Sequence, residues 1–369
     1  MAGDCAPAET IIVIVNWRNP WDTLECLGSL LAMSHREWTA VVVDNHSGDD
    51  SLALFHAWAE GLLCACQSSA DPRLPQSLRN RGCANDLMVS FVRSNSDQGH
   101  LEEVPSRQQG YRSIVFVENA VNAGFAGGNN VGLRLALARP EVRWVWLLNN
   151  DTVVDPSALT ELMAKSQRHP GEQIVGARVM EYFDPGTVQY SGGAQYNQWL
   201  ASVAPVREVR PSPASPQTDA DHERHIEQRL SYIVGASMFM PRTTLMQLGL
   251  MDERYFLYYE ELDWRCRHEA AVSLKYASRA VVFHKEGGTT GGKTLAPIKS
   301  RTAEYFAARA RILFALRRKP WLLATLLPLQ SAAMVKRLVR DRGFDRARIV
   351  FSATVDAVKI ALTGRGIRP

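Results

Sequence analysis

The run Ile11-Ile12-Val13-Ile14-Val15 constrains the fold of this chain more than any other feature. Its residues are all β-branched and show no polar alternation, which predicts a strand buried on both faces, as the strands of a parallel sheet are. Asn16-Trp17-Arg18-Asn19-Pro20 ends the run. Leu24, Leu27, Leu30 and Leu31 follow at helical spacing, and Ala40-Val41-Val42-Val43 is a second strand of the buried type, closing in Asp44-Asn45-His46-Ser47-Gly48. Strand, helix and strand in this rhythm predict an α/β fold. Ligands of such sheets bind beyond the carboxyl ends of the strands, which is where Asn16 and Asp44 fall.

Three later segments carry chemistry at element ends. Val142 to Leu148 reads as a strand that delivers Asn149-Asn150-Asp151 to a sheet edge. A carboxylate flanked by amide oxygens suits a hard divalent cation bridging to phosphate, although the same tripeptide is also a good turn. Phe256 to Arg267 sets Glu260, Glu261 and Asp263 among aromatics. Adjacent carboxylates repel, so one pKa should rise toward the range a general base needs; an acidic helix N-terminus is the plainer alternative. Asp263 and Arg267 have the spacing of a helical ion pair. Val281 to His284 is a strand ending in histidine, followed by a glycine-rich stretch that could close over phosphate.

Between these segments, Ile114–Val117 resumes the sheet and leads to Asn122–Gly132. Glycines at such a turn let backbone approach a ligand or pack a helix, and their spacing is not the dinucleotide fingerprint. Residues 67–112 are polar and aperiodic and predict an inserted loop; 205–229 predicts a surface loop. Asp155-Pro156 predicts a helix start, Ile174–Ala177 a short strand, Tyr190–Gly193 a turn near the site, and Tyr232–Met240 a single strand containing Gly235-Ala236.

The bulk numbers exclude some classes. A net charge of +4 over 369 residues does not indicate a nucleic-acid partner. The six cysteines, at 5, 26, 64, 66, 83 and 266, fit no zinc spacing and no disulfide framework, so reduced thiols in a cytoplasmic protein are expected; His222 and His225 lack sulfur partners for a metal. Met1–Thr10 is short and acidic, so no signal peptide is expected. No stretch reaches the roughly 20 apolar residues of a membrane span. Trp321–Val335, broken by Pro328 and flanked by Arg317, Arg318, Lys319, Lys336 and Arg337, leaves two readings open: a helix lying in a membrane interface or one that packs on the main domain. Arg301, Arg309 and Arg311 suit phosphates, lipid headgroups or solvent.

These segments, in this order, resemble the inverting glycosyltransferases of family 2, and within them the bacterial rhamnosyltransferase-like branch that builds cell-surface polysaccharide. The resemblance rests on Ile11–Asn16, Val41–Ser47, Asn122–Gly132, Leu147–Asp151, Gly235-Ala236, Phe256–Arg267 and His284–Thr290. It implies a GT-A fold, a Rossmann-like mixed sheet flanked by helices, over residues 1–295, with a helical C-terminal extension over 296–369. It implies a nucleotide-sugar donor, dTDP-L-rhamnose first and UDP-sugars behind it, lined by Asn16, Asp44 (reading the base), Asn122, Gly124, Asn129, Asn149 and Asn150. Mg²⁺ or Mn²⁺ would sit on Asp151, the last residue of the family's DxD motif, and on His284; Asn149 replaces the motif's first acid. Glu261 aligns with the catalytic base, where the family has Asp, and Glu260 stands beside it as the alternative. The implied acceptor is a hydroxyl of a glycan or lipid-linked glycan at the inner face of the cytoplasmic membrane. Two competing readings are a sugar-nucleotide pyrophosphorylase, which needs a basic glycine-rich loop absent after Val15, and a non-catalytic carbohydrate-binding protein on a decayed transferase fold, which the substituted Asn149 favours.

Overall fold

Strand β1 (Glu9–Asn16) lies well inside a ten-stranded mixed sheet in the computed structural model, which describes residues 9–60, 87–94, 104, 112–208, 219–286, 301–340, 345–364 and 366. It runs parallel to β2 (Trp38–Asp44) on one side and β5 (Val142–Leu148) on the other. Alternate residues of β1 enter two separate cores, which is why the strand is apolar throughout. Ile12 and Ile14 pack with Leu24 and Leu27 of α1 (Pro20–Leu31), Phe55 of α2 (Ser51–Ala59) and Leu159 and Leu162 of α4 (Ala158–Arg168). Ile11 and Val13 pack with Val131 and Leu133 of α3 (Gly124–Ala138) and with Leu245 and Leu248 of α6 (Arg242–Leu248). The result is an α/β/α sandwich.

The strand order is β3-β4-β2-β1-β5-β12-β7-β13-β6, with β8 on β7. β3 (Leu87–Arg93), β4 (Arg112–Glu118), β2, β1 and β5 are parallel; β12 (Ser237–Pro241) and β6 (Thr152–Val154) run antiparallel to their neighbours, and β7 (Gln173–Glu181) is parallel to β13 (Ser273–His284). β8 is Val188–Ser191. β9 (Gly193–Asn197), β10 (Ser202–Pro205) and β11 (Tyr232-Ile233) form a separate three-stranded sheet. α5 (Asp219–Glu227), α7 (Glu260–Cys266), α8 (Arg301–Arg318), a 3₁₀ turn at Pro320–Leu322, α9 (Leu323–Arg340) and α10 (Asp345–Thr363) complete the chain. The C-terminal helices do not stand apart: Ile312, Leu313 and Phe314 share a core with Tyr255 and Leu262 of the α7 region and with Ala357 and Ile360. The boundary expected at 295 lies outside the described residues.

Several expectations need correction. The predicted insert 67–112 contains an edge strand, β3, and its last residue opens β4. The run Leu87-Met88-Val89-Ser90-Phe91-Val92 is a strand in plain sight, masked by polar neighbours and only half-buried because it is at the sheet edge. The predicted loop 205–229 contains helix α5, polar on almost every residue and therefore without apolar period. Acids in its first turn favour it, and it is fixed by Ile226 and by Glu223, which pairs with Lys165 at 2.7 Å. Tyr232–Met240 is two strands in two sheets, not one. The strand-to-helix turn expected over Asn122–Gly132 is already helical from Gly124: a Cβ on Gly132 would lie 2.5 Å from Val13 and one on Gly128 2.8 Å from Val15, so these glycines seat α3 against β1. The helix after Asp155-Pro156 starts at Ala158, with Asp155 capping the preceding turn through Ser157. Pro328 lies within α9 and does not end it. Cys5, Cys64, Cys66, Cys83 and the glycine-rich stretch after Glu286 lie outside the described residues. No helix among the described residues is long and apolar enough to cross a membrane.

Candidate active site

Antiparallel register brings Asp151 to His284. β13 ends where β6 begins, with His284 opposite Thr152, and the imidazole Nε2 lies 3.2 Å from Asp151 Oδ1 and 3.3 Å from Asn149 Nδ2. The other ring nitrogen is set by a relay. Glu286 Oε2 can only accept, so it receives Gln189 Nε2 at 3.0 Å, which turns Gln189 Oε1 toward His284 Nδ1 at 2.7 Å. Nδ1 therefore carries a hydrogen, and Nε2 is left facing a carboxylate. Two neutralising partners suit that position: a proton, or a cation shared with Asp151. Burial opposes a charged ring, but the Asp151 carboxylate, with Glu286 and Glu181 behind it, outweighs burial and holds the His284 pKa above its ordinary value. The strand end is pinned by Lys285, which reaches Asp22 and Glu25 on α1, and Glu25 in turn accepts from Tyr182 at 2.7 Å.

A second polar network follows from the parallel register of β1 and β2, which sets Asn16 beside Asp44. Asp44 Oδ1 accepts from Asn16 Nδ2 at 2.8 Å and from Ser47 Oγ at 2.5 Å, and Oδ2 accepts from the Ser47 amide at 3.1 Å. Asn16 Oδ1 accepts from Thr23 Oγ1 (2.8 Å), which accepts from Asn150 Nδ2 (3.0 Å), so the network runs from the β2 end to the turn that holds Asp151. Asn45 is a second hub. Its Nδ2 donates to Asn122 Oδ1 and the Gly124 carbonyl, and its Oδ1 accepts from Asn119 Nδ2 and the Ala123 amide.

The acidic pair stands on the opposite wall. Glu260 and Glu261 open α7 after Phe256, Tyr258 and Tyr259, all three at positive φ, a region costly for side chains of this bulk. The segment is held by the Phe125 amide donating to the Phe256 carbonyl at 2.6 Å, by Arg309 Nη2 donating to the Tyr255 carbonyl at 2.8 Å, and by Phe256 stacked on Phe306 at 4.6 Å. Glu260 is 2% exposed, and its Oε2 has no partner. Burial first, then the charge of Glu261, drives its pKa well above the carboxylate range. Glu261 is half-buried; burial raises its pKa too, moderated by N–H groups of its own backbone and of Gly235, whose amide donates to Oε1 at 3.1 Å. Gly235 must lack a side chain, since a Cβ there would lie 2.8 Å from both Glu261 Oε1 and the Phe125 ring.

These walls meet. The residue after Gly235, Ala236, accepts the Asn149 amide at 3.3 Å, so one dipeptide touches both the Glu261 carboxylate and the Asn149–Asp151 turn. Tyr190, next to Gln189, registers both sides: burial pushes its hydroxyl up to about 12, with the charges of Glu286 and Glu261 adding. Asp151, His284, Glu260, Glu261, Asn16, Asp44, Asn122, Gly124, Asn149 and Asn150 thus belong to one connected site. Asn129 stands apart, its amide donating to the Phe125 carbonyl within α3. His222 is engaged by Glu208 at 2.9 Å. Among the described residues no group of three histidine, cysteine or acidic side chains surrounds a metal position. Gln189, Asn45, Ser47, Thr23 and Gly235 were not picked out as site residues from sequence. Asn45 and Ser47, beside Asp44 at a strand end, and Gly235, in a segment that carries the family resemblance, had a signal that could have found them.

A mixed sheet with a carboxylate–imidazole pair at its strand ends, linked through Gly235-Ala236 to an acidic pair, is an arrangement that suits polar transfer chemistry. Comparison with known proteins narrows the class. Residues 72–212 match the model of Glycosyl transferase family 2. The N-acetylglucosaminyl-diphospho-decaprenol L-rhamnosyltransferase of Mycobacterium tuberculosis is 25% identical over 242 residues, 60% of this chain and 75% of that protein. The low-salt glycan biosynthesis hexosyltransferase Agl10 of Haloferax volcanii is 24% identical over 159 residues, 42% of this chain and 47% of its own. Among solved structures, residues 1–349 of TarS from S. aureus align over 96% of this chain and 81% of theirs, at 12% identity and a TM-score of 0.49. Residues 72–212 thus match family 2 of the glycosyltransferases, and the chain has the mixed sheet that the family resemblance leads one to expect.

Proposed function

We propose that the protein is a metal-dependent inverting transferase that moves L-rhamnose from dTDP-L-rhamnose to a hydroxyl of a lipid-linked glycan at the inner face of the cytoplasmic membrane. The observation that carries the reaction type is Glu261: a single half-buried carboxylate with a raised pKa, one oxygen fixed by the Gly235 amide and the other left to receive a proton. The acceptor oxygen attacks the anomeric carbon as the sugar's bond to the diphosphate oxygen breaks, the acceptor proton passes to Glu261, and one displacement inverts the configuration. Of the pair, Glu260 holds its proton the more strongly, because it is the more deeply buried and the charge of Glu261 adds to the effect of burial.

Asp151 Oδ1 and His284 Nε2 are close enough to share one Mg²⁺ or Mn²⁺, and because the Glu286–Gln189 relay holds the hydrogen of Nδ1, Nε2 is the nitrogen from which such a cation would displace a proton. Such a cation would neutralise charge on the departing diphosphate. Asp44, Asn16 and Asn122 frame the nucleotide end of the cleft. The rhamnose assignment is supported by the mycobacterial relative, named for L-rhamnosyl transfer to a diphospho-decaprenol acceptor. The test is release of nucleoside diphosphate from dTDP-L-rhamnose and a panel of UDP-sugars, with Mg²⁺, Mn²⁺ or chelator. Turnover confined to dTDP-L-rhamnose and abolished by chelator is expected; turnover of a UDP-sugar alone replaces the donor, and no turnover of any sugar with added metal favours a binding protein.

A further inference from the structure

The turn between β9 and β10 exposes two large apolar side chains, Trp199 at 64% and Leu200 at 52%. They are held in place. The Trp199 ring meets the Trp321 ring at 5.3 Å, Thr325 Oγ1 donates to the Trp199 carbonyl at 3.0 Å, and Lys319 Nζ donates to Gln198 Oε1 at 3.3 Å. Trp321 is itself 47% exposed, and Leu327 and Leu329 on α9 are 45% and 48% exposed. The Trp199 and Trp321 rings, more than a hundred residues apart in sequence, thus lie side by side and half-open to water, an arrangement that marks a contact surface rather than scattered exposure.

The charge composition of this segment selects the partner. From Lys319 to Arg340 the sequence holds Lys319, Lys336, Arg337 and Arg340 and no acid. Paired tryptophans, leucines and cations without anions are the composition of an element that lies in a lipid interface. α9 is not long and apolar enough to cross a bilayer, so it would lie along one. The surface also adjoins the catalytic wall. Ala201, next to Leu200, is buried and its carbonyl accepts from Tyr259 at 2.8 Å, and Tyr259 immediately precedes Glu260.

We infer that Trp199, Leu200 and Trp321, flanked by the exposed leucines of α9, form a docking surface for an anionic lipid bilayer, which seats the start of α7 beside the membrane plane. The inference stands on this surface and not on the transferase reading. The test uses the full chain with vesicles of phosphatidylglycerol and phosphatidylethanolamine, and with phosphatidylcholine alone, reading co-sedimentation and tryptophan emission. Binding to the anionic vesicles with a blue shift is expected. The pairs Trp199→Ser/Leu200→Ser and Leu327→Ser/Leu329→Ser should each weaken partitioning by about tenfold or more. The leucine pair leaves the Trp199–Trp321 contact in place, and thermal melts of both pairs confirm folding. Absence of binding by the unaltered protein, binding unchanged in both variants, or self-association in solution that both variants abolish would overturn the inference, the last by assigning the surface to a second copy. Donor hydrolysis without vesicles, measured in parallel, is expected unchanged in both variants; its absence in the unaltered protein would count against the transferase reading and leave the vesicle result standing.

Discussion

The two walls of the cleft are built on opposite principles. On the proposed donor wall, parallel strands end in side chains that bond one another: Asp44, Asn16, Ser47, Thr23 and Asn150 form a connected set of hydrogen bonds at the sheet's end. On the catalytic wall, three non-glycine residues at positive φ lead into two adjacent glutamates, one with a buried oxygen that has no partner. The first wall would stand on its own hydrogen bonds. The second stands because α8 holds it: Arg318 reaches the fully buried Asp263 of α7 at 2.6 Å, and Arg309 reaches Tyr255. On the proposed assignment, strain and unmet polarity fall where a proton would move, and order falls where a nucleotide would be positioned.

The sharpest way to break this contrast is to remove the base. Glu261→Gln keeps the shape and the Gly235 contact but cannot take a proton, so transfer should fall by about 10³-fold or more while the melting temperature changes little. Near-normal diphosphate release in a single turnover would move the base elsewhere. Asp151→Ala comes next. It leaves His284 without its carboxylate partner, and a loss of about 10²-fold in turnover is expected, with metal titration losing its saturating response. Wild-type metal dependence in this variant would reduce the Asp151–His284 contact to a plain ion pair.

How much of this was legible follows the same division. The β-branched runs of β1 and β2 declared a sheet covered on both faces, and because parallel register aligns strand ends, Asn16 and Asp44 could be placed together from sequence. Asp151 and His284 were legible as strand ends but not as partners, since their meeting depends on the antiparallel pairing of β6 with β13. Gln189 was illegible as a site residue, since a glutamine in a short strand looks ordinary until a ring nitrogen arrives from a distant element; Gly235 fell in a segment that carries the family resemblance, but its contact with the Glu261 carboxylate depends on where α7 packs. β3 and α5 were hidden by composition, one surrounded by polar residues and the other almost wholly polar itself.

The dependence of the catalytic wall on α8 is tested by Arg318→Met. Asp263 would keep Arg267 and the Tyr255 hydroxyl but lose two bonds from Arg318 in a buried setting, a destabilisation of about 2–3 kcal/mol by urea unfolding. Because the change loosens only the catalytic wall, kcat should drop by about tenfold with KM for the donor unchanged. An equal rise in donor KM would mean that the walls are not independently supported.

The smallest effect expected is on stability alone. Glu260 is a carboxyl whose folded-state pKa lies above its unfolded value of 4.5, raised by burial and by Glu261. Between those two values the folded state binds the proton that the unfolded state has released, so stability is highest below the unfolded pKa and declines as pH rises toward the folded one. This is the reverse of a salt-bridged carboxylate such as Asp252, whose pKa is lowered, against burial, by hydrogen bonds from Arg254 and the charge of Arg317, and whose contribution is lost on acidification. Glu260→Gln removes the ionisation, so melting temperatures recorded from about pH 4 to about pH 9 should show a shallower decline than the unaltered protein. Parallel curves would mean that Glu260 does not ionise in that range, and the stored cost on this wall would then lie in the backbone at Phe256, Tyr258 and Tyr259.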